Sequence, residues 1–192
     1  VFLHEGLGSV AMWKDFPDRL CRLTGCPGLV YDRQGYGQSS PLQRPRTIHY
    51  LHHYALDELP EILLKIIPNR PFILIGHSDG GSIALIFGAE KPAFLQAIIT
   101  EAAHVFVEPE TLQGTDAAVS AYALGHLAKL AKYHGTQTEA VFHAWADIWR
   151  SSWFYHWNIE YLLPSITCPL LVVQGSGDQY GTAGQVHTIV AK

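Results

Sequence analysis

Short aliphatic runs alternate with longer helical patterns along this chain. The aliphatic runs lack polar alternation and fall at residues 1–3, 28–31, 72–75, 95–100 and 170–173. Continuous apolar runs of this length are typical of parallel strands that are buried on both faces. The pattern therefore predicts one open, mostly parallel sheet.

Between these runs, apolar residues recur at the three- and four-residue spacing of amphipathic helices. Residues 13–23 carry one such pattern and residues 51–66 carry another, in which Pro60 is expected to bend the helix or mark its true start. Repeated strand–helix–strand units imply right-handed crossovers. The predicted fold class is α/β, an open, mostly parallel sheet flanked by helices.

A long segment interrupts this rhythm before the last predicted strand. Residues 103–168 are mainly helical in pattern and rich in aromatic side chains. We interpret them as a helical lid inserted over the sheet, so that residues 1–102 and 169–192 form the α/β core. No internal repeat supports a further division of the chain.

Composition narrows the class of ligand. With 192 residues, 48% of them hydrophobic and 16% charged, the chain can bury one sizeable core. The net charge of −4 is scattered and forms no basic stripe, which argues against nucleic acid or an anionic membrane surface as a partner. A small neutral or mildly polar ligand is the expected partner, and homo-oligomerisation stays open.

Cysteine usage and hydropathy indicate the compartment. The three cysteines show no C-x-x-C spacing, which disfavours a disulfide framework or a zinc site and suits a reducing, cytoplasmic environment.

His49 and His53 have the spacing of metal ligands, but the sequence offers no third ligand beside them, so no metal is predicted. No apolar run is long enough to span a membrane, and no signal-like segment opens the chain.

The sequence GHSDGG at residues 76–81 is the most informative motif. It fits G-x-S-x-G, and it lies directly after a predicted buried strand and directly before a helical pattern. In that context the motif indicates a nucleophile elbow, a strained turn that projects the Ser78 hydroxyl at the carboxyl end of the sheet. The alternative is an ordinary strand-to-helix turn in which the serine caps the helix.

Two other loops at strand ends carry matching chemistry. The loop LHEGLG at residues 3–8 is placed to offer the Gly6 backbone N–H to a developing oxyanion, together with the N–H of Asp79. The loop QGSGD at residues 174–178 places Asp178 where a carboxylate can orient a catalytic imidazole. A simple turn aspartate is the alternative for Asp178.

These motifs resemble the α/β-hydrolase superfamily, in particular its lid-bearing bacterial esterases and carbon–carbon bond hydrolases. The resemblance runs through HEGLG, YDRQGYGQS at 31–39, GHSDGG and GSGDQYG at 175–181. It implies that Ser78 is the nucleophile, Asp178 the acid of a Ser-His-Asp triad, and the Gly6 and Asp79 amides the oxyanion hole. It implies hydrolysis of an acyl ester or a ketone without a cofactor.

The chain departs from the family pattern in two ways. Glu5 stands where the family usually has glycine, so a carboxylate is expected near the site, either to bind a polar substrate or to brace the loop. The family's catalytic histidine follows one further strand, whereas His187 falls within a helical pattern and is a poor candidate. We therefore expect an internal piece of a longer hydrolase, whose histidine lies beyond Lys192. Glu101 is an alternative triad acid.

Six side chains are predicted to line the substrate pocket: His4, Glu5, Arg33, His104, Trp145 and Trp149. Tryptophans recur every four residues here, at Trp145, Trp149, Trp153 and Trp157, and packing in the core is the more common role of such a stripe. His104 has helix capping as its alternative. Two other functions stay open at this point. One is cofactor-free haloperoxidase or perhydrolase chemistry on the same triad, and the other is non-catalytic ligand binding.

Overall fold

The computed structural model describes all 192 residues and contains one parallel sheet. Its strands are β1 (Phe2–Leu3), β2 (Phe72–His77), β3 (Leu95–Glu101) and β4 (Leu170–Val173). They lie side by side in the order β1-β2-β3-β4, and every neighbouring pair is parallel. The predicted α/β class is confirmed.

The predicted strand at residues 28–31 is wrong in extent, because only Val30 pairs. It forms a single parallel bridge to Phe2, on the side of β1 away from β2. β1 is only two residues long, and no further strand lies beyond Val30 to extend the ladder. After β1, the chain therefore pairs through Val30 on one side of β1 and then crosses to form β2 on the other side. Such a reversal opens a crevice at the carboxyl ends of the two strands, where ligands bind in open α/β sheets.

Eight α-helices surround the sheet: α1 (Phe16–Thr24), α2 (Tyr50–His53), α3 (Leu59–Ile66), α4 (Asp79–Ala89), α5 (Pro109–Ala123), α6 (Ala131–His134), α7 (Thr138–Trp149) and α8 (Ala183–Val190). A π-helical turn, Tyr54–Glu58, joins α2 to α3, and Pro60 lies in the first turn of α3. Because proline has no N–H to donate, the helix widens before it rather than breaking. No helix has both the length and the apolar character needed to cross a membrane.

Residues 103–168, called here the helical insertion, contribute α5, α6 and α7 and no strand. They do not form a separate layer with its own core. Phe142 and Trp149 belong to the same buried cluster as Leu3 of β1 and Ile83 of α4. The insertion therefore shares its packing with the sheet and the helix behind it.

The two faces of the sheet are covered unequally. Leu74 and Ile98 point toward α4 and are fully buried. On the opposite face, Ile73, Leu171 and Val173 are 40%, 56% and 45% exposed. Since parallel sheets usually bury both faces, this face is an unusually open apolar surface.

Candidate active site

Ser78 lies in a sharp turn between β2 and α4, with φ 51° and ψ −117°. This left-handed backbone is rare for a residue with a side chain and stores strain. The Ser78 N–H donates to the Glu101 carbonyl at 2.8 Å, and this bond ties the turn to the end of β3. The Ser78 side chain makes no capping hydrogen bond. Helix capping therefore does not explain the serine.

The glycines of the motif let three backbone segments meet at this turn. A Cβ on Gly76 would collide with the Gly80 carbonyl oxygen, and a Cβ on Gly80 would collide with the Leu3 carbonyl oxygen. A Cβ on Gly81 would lie 2.7 Å from the Ala103 Cβ. Each glycine is therefore required by the close approach of strand, helix and loop.

Two unused backbone donors flank the turn. Gly6 lies outside any helix or strand, and Asp79 is the first residue of α4. Neither backbone N–H therefore has a hydrogen-bond acceptor in a helix or a strand. Neither donates in any of the loop, turn or cap hydrogen bonds. A Cβ on Gly6 would lie 3.2 Å from the Asp79 Cγ, so the two residues are close neighbours. Both N–H groups are therefore free to donate to a ligand.

Two buried side chains support the loop that carries Gly6. The His4 Nδ1 donates to the Glu5 carbonyl at 2.8 Å, and its Nε2 accepts from the Arg33 backbone N–H at 3.2 Å. The Arg33 guanidinium donates to the carbonyl oxygens of His4 and Glu5 at 2.5 and 3.0 Å. Burial, followed by the Arg33 charge, holds the pKa of His4 well below its ordinary value. Both side chains are engaged by the loop, which does not favour the predicted substrate contacts.

Glu5 is half-buried, and its Oε2 accepts from the Leu7 N–H at 2.5 Å. Burial raises the pKa of the Glu5 carboxyl, although the bond from Leu7 opposes this change. The negative charge of Asp79 raises it further, whereas His77 acts in the opposite direction. Glu5 thus braces its own loop while its carboxyl group lies close to the residue after Ser78.

A hydrogen-bonded chain connects the helical insertion to Asp79. The Trp149 Nε1 donates to the Tyr50 hydroxyl at 2.9 Å, and that hydroxyl donates to the Asp79 Oδ2 at 2.8 Å. All three residues are buried, and the Asp79 Oδ1 has no partner. Burial, followed by the charge of Asp79, raises the pKa of Tyr50 well above its ordinary value. No sequence motif pointed to Tyr50.

Further contacts of the insertion reach the same loop. The Trp145 indole covers Gly6, where a Cβ would lie 2.5 Å from the Trp145 Cδ1. The His134 Nε2 donates to the Leu7 carbonyl at 2.8 Å, while its Nδ1 accepts from the Gly37 N–H at 3.0 Å. His134 was not anticipated from the sequence, because its partners are 127 and 97 residues away and follow no motif.

The loop after β4 approaches this site through Tyr180, whose ring lies 6.2 Å from that of Trp145. The Asp178 Oδ1 accepts from the Tyr180 N–H at 2.8 Å. Burial raises the pKa of Tyr180, and the carboxylates of Glu5 and Asp178 raise it further. Asp178 is half-buried and follows β4, as Glu5 follows β1, so both acids come after the carboxyl ends of parallel strands in one sheet.

No histidine of the chain hydrogen-bonds to Ser78 or to Asp178. The His104 Nε2 donates to the Tyr180 carbonyl at 3.0 Å, and its Nδ1 is buried without a partner against the Trp149 ring. His187 is exposed on α8. The Glu101 side chain, the alternative acid, is exposed at the end of β3.

The site thus combines a parallel sheet, a serine in a strained strand-to-helix turn and two free backbone donors beside it. This geometry defines the class of α/β proteins that carry a nucleophile elbow. The chain matches the model of the alpha/beta hydrolase fold family over residues 1–165, and it belongs to that family.

Known relatives agree with this assignment. Human serine hydrolase BPHL is 29% identical over 157 residues, which cover 78% of this chain and 53% of the relative. Human monoglyceride lipase is 26% identical over 201 residues, covering 93% of this chain and 65% of the relative. The chain thus spans about half the length of BPHL. A thermophilic esterase from Thermogutta terrifontis has the same fold, with a TM-score of 0.68 at 18% identity over 99% of this chain and 75% of the esterase.

Proposed function

We propose that this chain is the nucleophile-bearing part of a serine hydrolase that cleaves an ester or a similar carbonyl substrate. Ser78 loses its proton to the general base and attacks the carbonyl carbon, and the N–H groups of Gly6 and Asp79 stabilise the tetrahedral oxyanion. Collapse of this intermediate breaks the ester C–O bond, and the alcohol leaves with the proton that the base returns. Water then hydrolyses the acyl-serine and releases the acid. The relatives named as a serine hydrolase, a lipase and an esterase support this reaction class.

The observation that carries the proposal is the uncapped Ser78 in its left-handed turn beside two unused N–H donors. Asp178 is the proposed triad acid. Since no imidazole of residues 1–192 hydrogen-bonds to Ser78 or Asp178, we propose that a histidine from outside these residues completes the triad. His4 and Arg33 serve in this account as positioning residues that hold the loop carrying Gly6.

The helical insertion has a proposed role beyond that of a removable lid. Trp145 covers Gly6, His134 holds Leu7, and Trp149 reaches Asp79 through Tyr50. The insertion therefore touches the neighbourhood of both proposed oxyanion donors. We propose that it fixes their geometry and forms the pocket wall on that side.

Ester hydrolysis by the longest natural protein that contains this chain tests the proposal. Ser78→Ala is expected to lower kcat/KM for short p-nitrophenyl esters by about three orders of magnitude or more. The matched control is Ser120→Ala, at an exposed serine on α5. Wild-type turnover in Ser78→Ala would remove Ser78 from the mechanism. Halide oxidation that requires peroxide would favour the perhydrolase alternative, and lack of any turnover would favour ligand binding.

A further inference from the structure

A cavity of about 480 Å³ lies beside α2. Its walls come from residues 42–47, the helix that follows, and Gln34. None of Ser78, Gly6 and Asp79 lines it. The volume is that of a small-molecule site. The lining includes two arginines and two histidines but no acidic residue.

Arg46, in the wall of this cavity, has unused hydrogen-bonding capacity. Its Nη2 donates to the Tyr36 hydroxyl, but its Nε and Nη1 make no hydrogen bond and have no contact with solvent. Its guanidinium carbon lies 4.9 Å from the ring centre of Tyr50 and 5.0 Å from that of Tyr36. Aromatic faces stabilise a cation but do not accept these N–H groups in the plane of the guanidinium.

The charge of Arg46 also lacks a partner of opposite sign. Arg46 forms no salt bridge, and the nearby Asp79 accepts from Tyr50 rather than from Arg46. Asp57 is paired with His53 instead. Leaving charged donors buried and unpaired is costly, whereas a planar guanidinium edge matches two oxygens of a carboxylate or a phosphate.

We propose that this cavity binds the oxyanion group of a small ligand, a carboxylate or a phosphate, with the Nε and Nη1 of Arg46 as its donors. Arg44 adds positive charge at the exposed wall. Because the two nitrogens are shielded from solvent, binding includes a local turn of the Arg46 side chain toward the cavity. The site goes beyond the proposed hydrolysis, since its donor Arg46 has no role in that reaction. Tyr50 is the residue that the cavity wall shares with the contact to Asp79.

Thermal unfolding of the purified natural protein that contains this chain tests this site without any turnover. Inorganic phosphate and succinate are titrated separately at constant ionic strength, with sodium chloride as the balancing salt. We expect a saturable rise in Tm with at least one of the two, and the pair of titrations distinguishes phosphate from carboxylate recognition. Arg46→Met is expected to weaken the apparent affinity at least about tenfold. Arg22→Met, the same change at an exposed position on α1, is the matched control and should bind normally.

Circular dichroism of each variant reports whether it is folded. If Arg46→Met does not fold, Arg46→Lys and Arg44→Met take its place, and both are expected to weaken binding. The proposal is overturned if neither anion raises Tm beyond chloride. It is equally overturned if the folded Arg46 variant binds like wild type, or if Arg22→Met loses as much affinity. If Ser78→Ala kept its hydrolytic activity, the proposed function would fail but the anion-binding result would still stand.

Discussion

At the residue scale, the Ser78 turn depends on positions that cannot carry a side chain. A Cβ on Gly80 would collide with the backbone of Leu3, which cannot move aside as a flexible side chain can. We expect Gly80→Ala to lower the free energy of unfolding by about 2–4 kcal/mol. Gly175→Ala, at a glycine where a Cβ would point into open space, should stay within about 0.5 kcal/mol. Chemical denaturation measures both, and equal effects would refute the steric argument.

His4 gives the loop at the proposed oxyanion hole a dependence on pH. Its pKa in the folded state is lowered by burial and by Arg33, so unfolding takes up a proton below the unfolded value of about 6.5. The stability that neutral His4 contributes is therefore present above that pH and is lost as the pH falls, by up to about 1.4 kcal/mol per pH unit.

His4→Gln removes this titration and isolates it from the opposite effect of Glu5, whose pKa is raised. The difference in free energy of unfolding between wild type and His4→Gln should shrink between pH 7 and pH 5. Denaturant titrations at several pH values measure this difference. A constant difference across that range would mean that His4 does not titrate on unfolding.

At the scale of elements, Tyr50 joins the helical insertion to the start of α4. Tyr50→Phe leaves the Asp79 Oδ2 and the Trp149 Nε1 buried without their partner. We expect it to cost about 2–4 kcal/mol of stability, because two buried polar groups become unsatisfied. Tyr155→Phe, at a half-exposed tyrosine of the insertion, is the matched control and should have little effect. Similar unfolding midpoints for the two variants would contradict the proposed connection.

The spacing of the tryptophans in the insertion predicted their burial but not the residues that they contact. Their four-residue spacing favoured a core role, and Trp145, Trp149 and Trp157 are indeed buried, whereas Trp153 is 48% exposed. The spacing did not show that Trp145 covers Gly6 or that Trp149 reaches Tyr50. Those contacts depend on how α7 meets Tyr50 and the loop that follows β1, and helical periodicity does not encode this packing.

At the scale of the whole molecule, the parallel sheet and the Ser78 turn were predictable because local signals define both. Continuous aliphatic runs marked the strands, and glycines at fixed offsets marked the turn. The run at 28–31 was overestimated because its length depends on a partner, and the two-residue β1 pairs only with Val30 on that side. His134 could not be predicted, since its two partners are remote in sequence.

Arg33 was predicted to line the substrate pocket, and the structure shows where its side chain lies. The resemblance to the α/β hydrolases implied that the turn at 33–39 borders the pocket, and the Arg33 guanidinium is fully buried against the carbonyl oxygens of the loop carrying Gly6. The four-residue pattern in 13–23 predicted a buried helix face, but Leu23 is 83% exposed. In both cases burial is decided by neighbouring elements rather than by the residue type.

The central proposal is that Ser78 is the nucleophile, that the Gly6 and Asp79 N–H groups serve it as oxyanion donors, and that no imidazole of residues 1–192 acts as its base. Fluorophosphonate labelling of the purified chain, followed by intact mass and peptide mapping, tests this with and without added imidazole. We predict a single label on Ser78, faster with imidazole, absent in Ser78→Ala and unchanged in Ser120→Ala. Labelling elsewhere, or equal labelling of Ser78→Ala, would contradict the claim.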